Sequence, residues 1–209
     1  MGKEHDYYSK GDERFGYLSS KAYSFFSKMP ISARFYDFVV SDIMQFKGKG
    51  ISALDVGAGN GVVPIRLRKE GILKEVYAVE PSEHMRSIFM NNVKRERIKA
   101  IHVGPGSSTH IPFKRKFDLI YSTLSFHHWS KKVESLAYLS NFLKSGGEIR
   151  IYEVFEGKKK GVLGTLAMGH SLSRETLTYA ANKANLRVKS IRVSKGLVAA
   201  VLVRGKDQV

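Results

Sequence analysis

The segment Leu54-Asp55-Val56-Gly57-Ala58-Gly59-Asn60-Gly61 ends an apolar run in three alternating glycines. The run from Ile51 to Val56 is short and apolar enough to be a buried parallel strand. Glycine permits backbone conformations closed to other residues and lets a ligand approach the main chain closely. Pro64 indicates a helix start, for which Asn60 is the expected N-cap. The pattern predicts a strand, a ligand-binding loop and a helix.

A second apolar run, Tyr77 to Val79, ends on the carboxylate of Glu80. An acid at the tip of the next strand can accept hydrogen bonds from both hydroxyls of a ribose. A dinucleotide fingerprint has the order G-x-G-x-x-G, whereas its third glycine position falls here on Val62. Asp55 would repel a pyrophosphate but suits a cationic amino-acid group. A glycine turn that only joins strand to helix remains the alternative.

These residues resemble motifs I and II of the class I S-adenosylmethionine-dependent methyltransferases, and further segments agree in order. The similarity runs from about residue 50 to about residue 205. Gly106 to Phe113 resembles the family's segment beside the adenine, and Phe117 to Ser122 is similar to its fourth strand. Ser125 to Trp129 contains the H-H-W of the small-molecule branch called type 11. Leu143 to Glu148 is similar to the L-K-P-G-G turn, with serine in place of proline.

The resemblance implies S-adenosyl-L-methionine as the cofactor. The residues that it implies for cofactor binding are Asp55, Gly57, Ala58, Gly59, Gly61, Glu80, Pro81, Ser107, Ser108, Ser122, Thr123 and Leu124. The family often holds the adenine amino group with an aspartate, and Ser107 stands at the matching position. A neutral hydroxyl accepts a weaker hydrogen bond than a carboxylate, which predicts modest cofactor affinity. A solvated loop at Ser107 and Ser108 is the alternative interpretation.

The candidate catalytic residues are His127 and His128, since a histidine can take a proton from an oxygen or nitrogen acceptor near neutral pH. In the alternative interpretation, one of the two histidines packs against Trp129 and the other is solvated. The candidate substrate contacts are aromatic, for which core packing is the other explanation: Tyr7, Tyr8, Tyr17 and Trp129. We expect no metal, because adjacent histidines point apart and no third ligand has useful spacing.

The alternation of strand and helix patterns predicts an α/β fold, a doubly wound and mostly parallel sheet. The family resemblance specifies this sheet further, as a seven-stranded Rossmann-like methyltransferase fold with N-terminal helices and a C-terminal antiparallel hairpin. The helices are expected at Ser20 to Met29, ended by Pro30, and at Ala33 to Phe46. Residues 1–209 are interpreted as a single domain, with 1–50 as a helical lid for substrate recognition and 51–209 as the cofactor-binding core.

Composition narrows the functional classes. The chain contains no cysteine, which excludes disulfides, thiolate metal sites and transferases that attack through a cysteine. No apolar run has the length of a bilayer span, and Met1 to Asp6 lacks the apolar core of a signal peptide. We therefore expect a cytoplasmic protein without a membrane partner, either a monomer or a homodimer.

Net charge leaves the methyl acceptor open. Lys and Arg number 35 against 19 Asp and Glu, a net charge of +16, with basic clusters such as Lys114 to Lys116 and Lys158 to Lys160. The leading hypothesis is in-line methyl transfer to a small-molecule O, N or C nucleophile. The charge favours anionic partners and motivates the alternative of a tRNA or rRNA methyltransferase. A cofactor-binding protein without catalysis is the third hypothesis.

Overall fold

Strands and helices alternate along the residues that the computed structural model describes, 30–46, 50–155 and 171–205. A short 3₁₀ turn at Phe126–His128 follows the fourth strand. The strands are β1 (Ile51–Val56), β2 (Leu73–Val79), β3 (Ile101–Gly104), β4 (Phe117–Thr123), β5 (Leu143–Phe155), β6 (Ser171–Leu172), β7 (Leu186–Ser194) and β8 (Leu197–Arg204). The helices are α1 (Pro30–Met44), α2 (Val62–Lys69), α3 (Glu83–Arg95), α4 (Lys132–Ser140) and α5 (Arg174–Lys183).

Seven of these strands lie side by side in the order β3-β2-β1-β4-β5-β8-β7. The pairs from β3 to β5 are parallel, and β8 runs antiparallel to both β5 and β7. This confirms the predicted seven-stranded, mostly parallel sheet with a C-terminal antiparallel hairpin. The two-residue β6 adds a further strand, parallel to the end of β5. β2 and β4 flank β1 on opposite sides, so the order in which strands are added to the sheet reverses at β1. Open α/β sheets bind ligands at such a reversal point.

Helices cover both faces of the sheet, and alternation along the strands sends side chains to each. Leu54 and Val56 of β1 belong to one buried cluster, together with side chains of α4 and α5. Ala53 precedes Leu54 and therefore points to the opposite face, where it belongs to a second cluster with side chains of α1 and α2. Among the helices that the structure describes, none combines the length and apolar character needed to cross a bilayer.

The structure corrects several predicted element ends. Pro30 begins α1 rather than only ending a preceding helix, as suits a residue that lacks an N–H. The expected helix over Ser20 to Met29 lies outside the described residues. Gly61, not Asn60, is the N-cap of α2, with a left-handed φ of 79°. The strand expected to start near Glu148 begins at Leu143, because its pairing with β4 shifts register around the Gly146 turn.

Candidate functional site

The glycine loop after β1 is held by main-chain hydrogen bonds. The N–H groups of Gly57 and Ala58 both donate to the carbonyl of Val79, at 2.9 and 3.1 Å. The side chain of Asn92 on α3 donates to the carbonyl of Asn60 at 2.9 Å. Gly57 has a φ of 81°, and a Cβ built on it would lie 2.0 Å from Ser125 Oγ. Both observations explain why this position requires glycine.

Glu80 is buried at the end of β2, and both of its carboxylate oxygens accept main-chain hydrogen bonds. Gly59 N donates to Oε2 at 2.8 Å, and Ser82 N donates to Oε1 at 2.9 Å. Arg86 secures the same turn, since its Nη1 donates to the carbonyls of Glu80 and Pro81. A carboxylate has lone pairs for about four hydrogen bonds. Glu80 is therefore fixed in place with capacity for ligand hydroxyls.

The first cavity opens beside this turn at the carboxyl ends of the strands. Predicted cofactor or site residues that the structure brings together in its wall are Gly57, Gly59, Glu80, Pro81, Ser107, Ser108, Leu124, His128 and Trp129. The sequence interpretation missed Val56, Met85 and Ser125, which complete the wall. Met85 lies in the first turn of α3, and an apolar residue just after the acidic strand tip could have indicated it.

The second cavity, of about 240 Å³, shares Gly57 with the first. Three more predicted residues line it: Asp55, Ala58 and Thr123. Tyr36 of α1 closes it from the helix side together with Asn60, Val62 and Val63. The predicted residues in the described part of the chain that line neither cavity are Gly61, Ser122 and His127. A Cβ built on Gly61 would lie 2.0 Å from the ring of Phe89.

Asp55 gives the second cavity its electrostatic character. Its side chain is 1 % exposed, and burial raises its pKa to about 8, an effect opposed by the Tyr121 side chain and increased by the charge of Glu80. Within the described residues, Asp55 Oδ1 and Thr123 Oγ1 are buried without a hydrogen-bond partner. Unpaired buried polar atoms are costly, so a ligand donor or cation would stabilise them.

The Ser107-Ser108 segment forms a turn in the wall of the first cavity. Ser107 pairs with His110 through the main chain, and its Oγ accepts a hydrogen bond from Thr109 N at 3.3 Å. The Ser108 hydroxyl lies 2.8 Å from that of Ser135 on α4. The turn is thus anchored to α4 rather than being a solvated loop, and both serines are buried.

The two candidate catalytic histidines occupy different environments in the 3₁₀ turn. Their ring centroids are 3.9 Å apart, and His128 lines the first cavity. His127 Nδ1 lies 2.9 Å from Glu153 Oε2, and His127 N donates to Glu153 Oε1 at 3.2 Å. Glu153 is a functional candidate that the sequence interpretation missed. A glutamate within the apolar strand β5, close to its carboxyl end, is the signal that could have found it.

The predicted substrate contacts are only partly described. Trp129 is buried, packs against Phe126 at 5.0 Å between centroids, and donates from Nε1 to Ser125 Oγ at 3.2 Å. Tyr7, Tyr8 and Tyr17 lie outside the described residues, as does most of the proposed lid. In residues 30–46, 50–155 and 171–205, no three His, Asp or Glu side chains form a group that could hold a metal ion.

Comparisons with known proteins agree with this arrangement. Residues 54–151 match the family described as "Methyltransferase domain". An uncharacterized methyltransferase of Alkaliphilus oremlandii is 31 % identical over 123 residues, which cover 57 % of this chain and 53 % of that protein. A tRNA U34 carboxymethyltransferase of Pseudoalteromonas translucida is 29 % identical over 116 residues, 55 % of this chain and 36 % of that protein. The chain therefore spans about half or less of the length of these relatives.

A solved structure shows the same fold along most of the chain. It is the crystal structure of a candidate S-adenosyl-L-methionine-dependent methyltransferase from Methanococcus maripaludis, with a TM-score of 0.79. The likeness covers 97 % of this chain and 99 % of that chain, at 20 % sequence identity. At this identity the likeness shows the architecture alone.

Proposed function

Since the segment 54–151 belongs to the class I S-adenosylmethionine-dependent methyltransferases, we propose that this chain transfers a methyl group from S-adenosyl-L-methionine to a small-molecule acceptor. The observation that carries the proposal is the pair of cavities that meet at Gly57. One contains the fixed carboxylate of Glu80, and the other contains the unpaired oxygen of Asp55. A single ligand with a ribose and a cationic amino-acid group would use both.

The residues present fit this cofactor. In the first cavity, Glu80 would accept the ribose hydroxyls, while Met85 and Leu124 supply apolar surface for a base. In the second cavity, Asp55 would accept the ammonium group, which would restore the charged state that burial disfavours. Gly57 lines both cavities, so the connecting sulfur region would pass beside its main chain.

The cofactor supplies a methyl group on a sulfonium, whose leaving group is already activated. The protein then has to hold the acceptor in line with that methyl, and orientation alone can supply about 7–11 kcal/mol of the barrier reduction. The 3₁₀ turn with His127 and His128 follows β4 directly and borders the first cavity, where an acceptor could be oriented. A dinucleotide fits less well, because the third glycine position of its fingerprint is Val62 here.

RNA methylation is the second candidate function. Its support is the net charge of +16 and the similarity to the Pseudoalteromonas enzyme, whose name states a tRNA substrate. Some basic residues are already engaged within the fold: Arg115 of the Lys114 to Lys116 cluster binds Glu75 and stacks over Tyr77. The small-molecule proposal comes first because His128 and Trp129, part of the H-H-W segment that resembles the small-molecule branch, line the first cavity. A cytoplasmic location and a monomeric or homodimeric state remain predictions.

Calorimetric titration with S-adenosyl-L-methionine and S-adenosylhomocysteine tests the proposal. We expect micromolar binding of both at low and at high salt. The titration is then repeated with bulk tRNA, because backbone contacts to RNA lose affinity steeply as salt rises. Salt-sensitive tRNA binding coupled to the cofactor would move RNA methylation ahead. Failure to bind either nucleoside would contradict both functions.

A further inference from the structure

The strongest feature that the cofactor site does not use is the buried pair formed by Glu153 and His127. We infer that Glu153 is a positioning residue that holds His127 as the proton acceptor for a methyl acceptor bearing a neutral O–H or N–H group. The inference rests on the proposed methyl transfer and specifies its acceptor class and its base.

Glu153 fixes both the main chain and the ring of His127. Its Oε1 accepts the His127 main-chain N–H at 3.2 Å, and its Oε2 lies 2.9 Å from Nδ1. Glu153 is held within the sheet, where its strand pairs with β4 on one side and with β8 on the other, opposite Val198. Two contacts from one carboxylate to one residue leave the imidazole little freedom to rotate.

The carboxylate also decides which ring nitrogen carries the proton. An ionised glutamate only accepts hydrogen bonds, so Nδ1 is the donor and Nε2 keeps its lone pair. The Glu153 side chain is fully buried, whereas that of His127 retains 10 % of its surface exposed. An incoming acceptor therefore meets the imidazole and not the carboxylate. A positive charge that develops on His127 would be stabilised by the adjacent anion.

The position of the pair suits the reaction. Leu124 N donates to the carbonyl of Tyr152 at 2.9 Å, which joins the end of β4 to β5 one residue before Glu153. His127 lies between this junction and His128, which lines the first cavity. Lys132 of α4 also contacts the turn, since its Nζ donates to the carbonyls of His127 at 3.2 Å and Trp129 at 2.7 Å. The pair is therefore adjacent to a residue of the cavity wall, and His127 itself is not among the described residues that line it.

Methyl transfer with His127 as the base balances in protons and electrons. The acceptor's O–H or N–H proton passes to His127 Nε2 while the acceptor's lone pair forms a bond to the methyl carbon. The carbon–sulfur bond pair returns to sulfur, which leaves as the thioether, and the proton is later lost from His127 to water. A carboxylate or thiolate acceptor is already anionic and would need no such base.

The first test needs no substrate. Nitrogen-15 NMR of the full chain reports the tautomer of each histidine, and we expect His127 to carry its proton on Nδ1. Glu153→Leu should shift His127 toward the Nε2–H form that free histidine prefers, and Glu153→Gln should retain the Nδ1–H form because its amide oxygen can accept. Glu148→Gln is the matched control, since Glu148 is also buried on β5 but binds Arg150. An unchanged tautomer in Glu153→Leu would overturn the positioning role.

The second test follows transfer of a labelled methyl group to phenol, imidazole, benzoate and thiophenolate as probes. We expect methylation of phenol, reduced about 100-fold at pH 7 in His127→Ala, the order of loss typical of a missing general base. Imidazole, benzoate and thiophenolate present a lone pair without losing a proton first, so the substitution should affect them little. The deficit should shrink as pH approaches the probe's own pKa, while the Kd for S-adenosylhomocysteine stays within about twofold, as expected of a group that acts on the acceptor.

Two results would overturn this acceptor class: no transfer to phenol, or transfer to phenol that His127→Ala leaves unchanged. These failures differ from failure of the proposed function, which would appear as loss of S-adenosylhomocysteine binding in the unmodified protein. The tautomer measurement depends neither on methyl transfer nor on S-adenosylhomocysteine binding.

Discussion

Gly59 donates its main-chain N–H to Glu80 Oε2 at 2.8 Å, so the glycine loop after β1 and the acid after β2 form one unit. Residues separated along the chain by a whole helix thereby share a fixed geometry. The hydrogen bond ties the shape of the loop to the position of the Glu80 carboxyl group. Substitutions at either end test whether this unit binds the nucleoside.

Glu80→Gln should weaken S-adenosylhomocysteine binding by about tenfold or more, because hydrogen bonds to a charged group are worth roughly 1.5–3 kcal/mol. The amide also presents a donor where Gly59 N or Ser82 N requires an acceptor. Calorimetry provides the measurement, with the exposed Glu83→Gln as the neighbouring control. Equal affinities in the two variants would remove Glu80 from the binding site.

Gly57→Ala should abolish nucleoside binding, since the new Cβ would collide with Ser125 and narrow both cavities. Part of the effect is backbone strain at a φ of 81°. Gly196→Ala is matched for that strain, because Gly196 has a φ of 82° with nothing within 4 Å of its Cβ position. Comparable loss of binding in Gly196→Ala would assign the defect to strain rather than to the site.

Stability should fall as pH rises from about 4 toward 8, because the pKa of Asp55 is raised in the folded protein from 3.8 to about 8. Below both values the carboxyl is protonated in either state and contributes no pH dependence. Between them the unfolded chain has lost the proton that the folded chain keeps, so the folded state is progressively penalised. Asp55→Asn should remove this penalty and gain roughly 1–4 kcal/mol near pH 8 relative to the unmodified protein.

Urea unfolding of the ligand-free proteins at several pH values gives the comparison for Asp55→Asn. The two proteins should differ least near pH 4 and most near pH 8. A parallel pH dependence in both would show that Asp55 is not the group responsible.

Affinity for S-adenosylhomocysteine should rise between about pH 6 and 8, by at most tenfold per pH unit for a single linked proton. The physical reason is that an ammonium group binds the ionised form of Asp55, which burial disfavours. Titrations in buffers of different ionisation enthalpy should show proton release on binding, and Asp55→Asn should abolish it. Binding without proton release would contradict the assignment of the ammonium to Asp55.

Asp42 anchors α1 to the sheet, and Asp42→Ala should destabilise the fold by about 3–5 kcal/mol, the cost of leaving a buried ionic partner unpaired. Its Oδ2 accepts from Arg150 Nη1 at 2.9 Å and from the Tyr152 hydroxyl at 2.7 Å, and Arg192 contacts Oδ1. Asp37→Ala on the same helix breaks an exposed pair with Arg66 and should cost less than about 1 kcal/mol. Denaturant midpoints distinguish the two, and similar midpoints would exclude a structural role for the buried network.

Local sequence patterns were sufficient for the strand, loop and helix at Ile51 to Lys69 and for the terminal hairpin. Alternation of apolar residues and the special conformations of glycine are properties of neighbouring residues, so they can be recognised without the fold. The N-cap was predicted one residue early, at Asn60, because the cap preference of asparagine competes with the left-handed conformation that Gly61 adopts more readily. The start of β5 was missed because it depends on pairing with β4 across a register shift.

The class of fold, the glycine loop and the acid at the tip of β2 could be predicted from the sequence alone. Each of them follows from periodicity or from residue types at fixed spacing. Only the tertiary structure decided which residues meet: Ser108 with Ser135, Asp42 with Arg150, and Glu153 with His127. The tertiary structure also decided the raised pKa of Asp55, because that shift comes from burial in the folded protein and from the charge of Glu80 rather than from any neighbour in sequence. The physical reason is that long-range contacts and desolvation depend on how elements pack, which one strand or helix read alone does not specify.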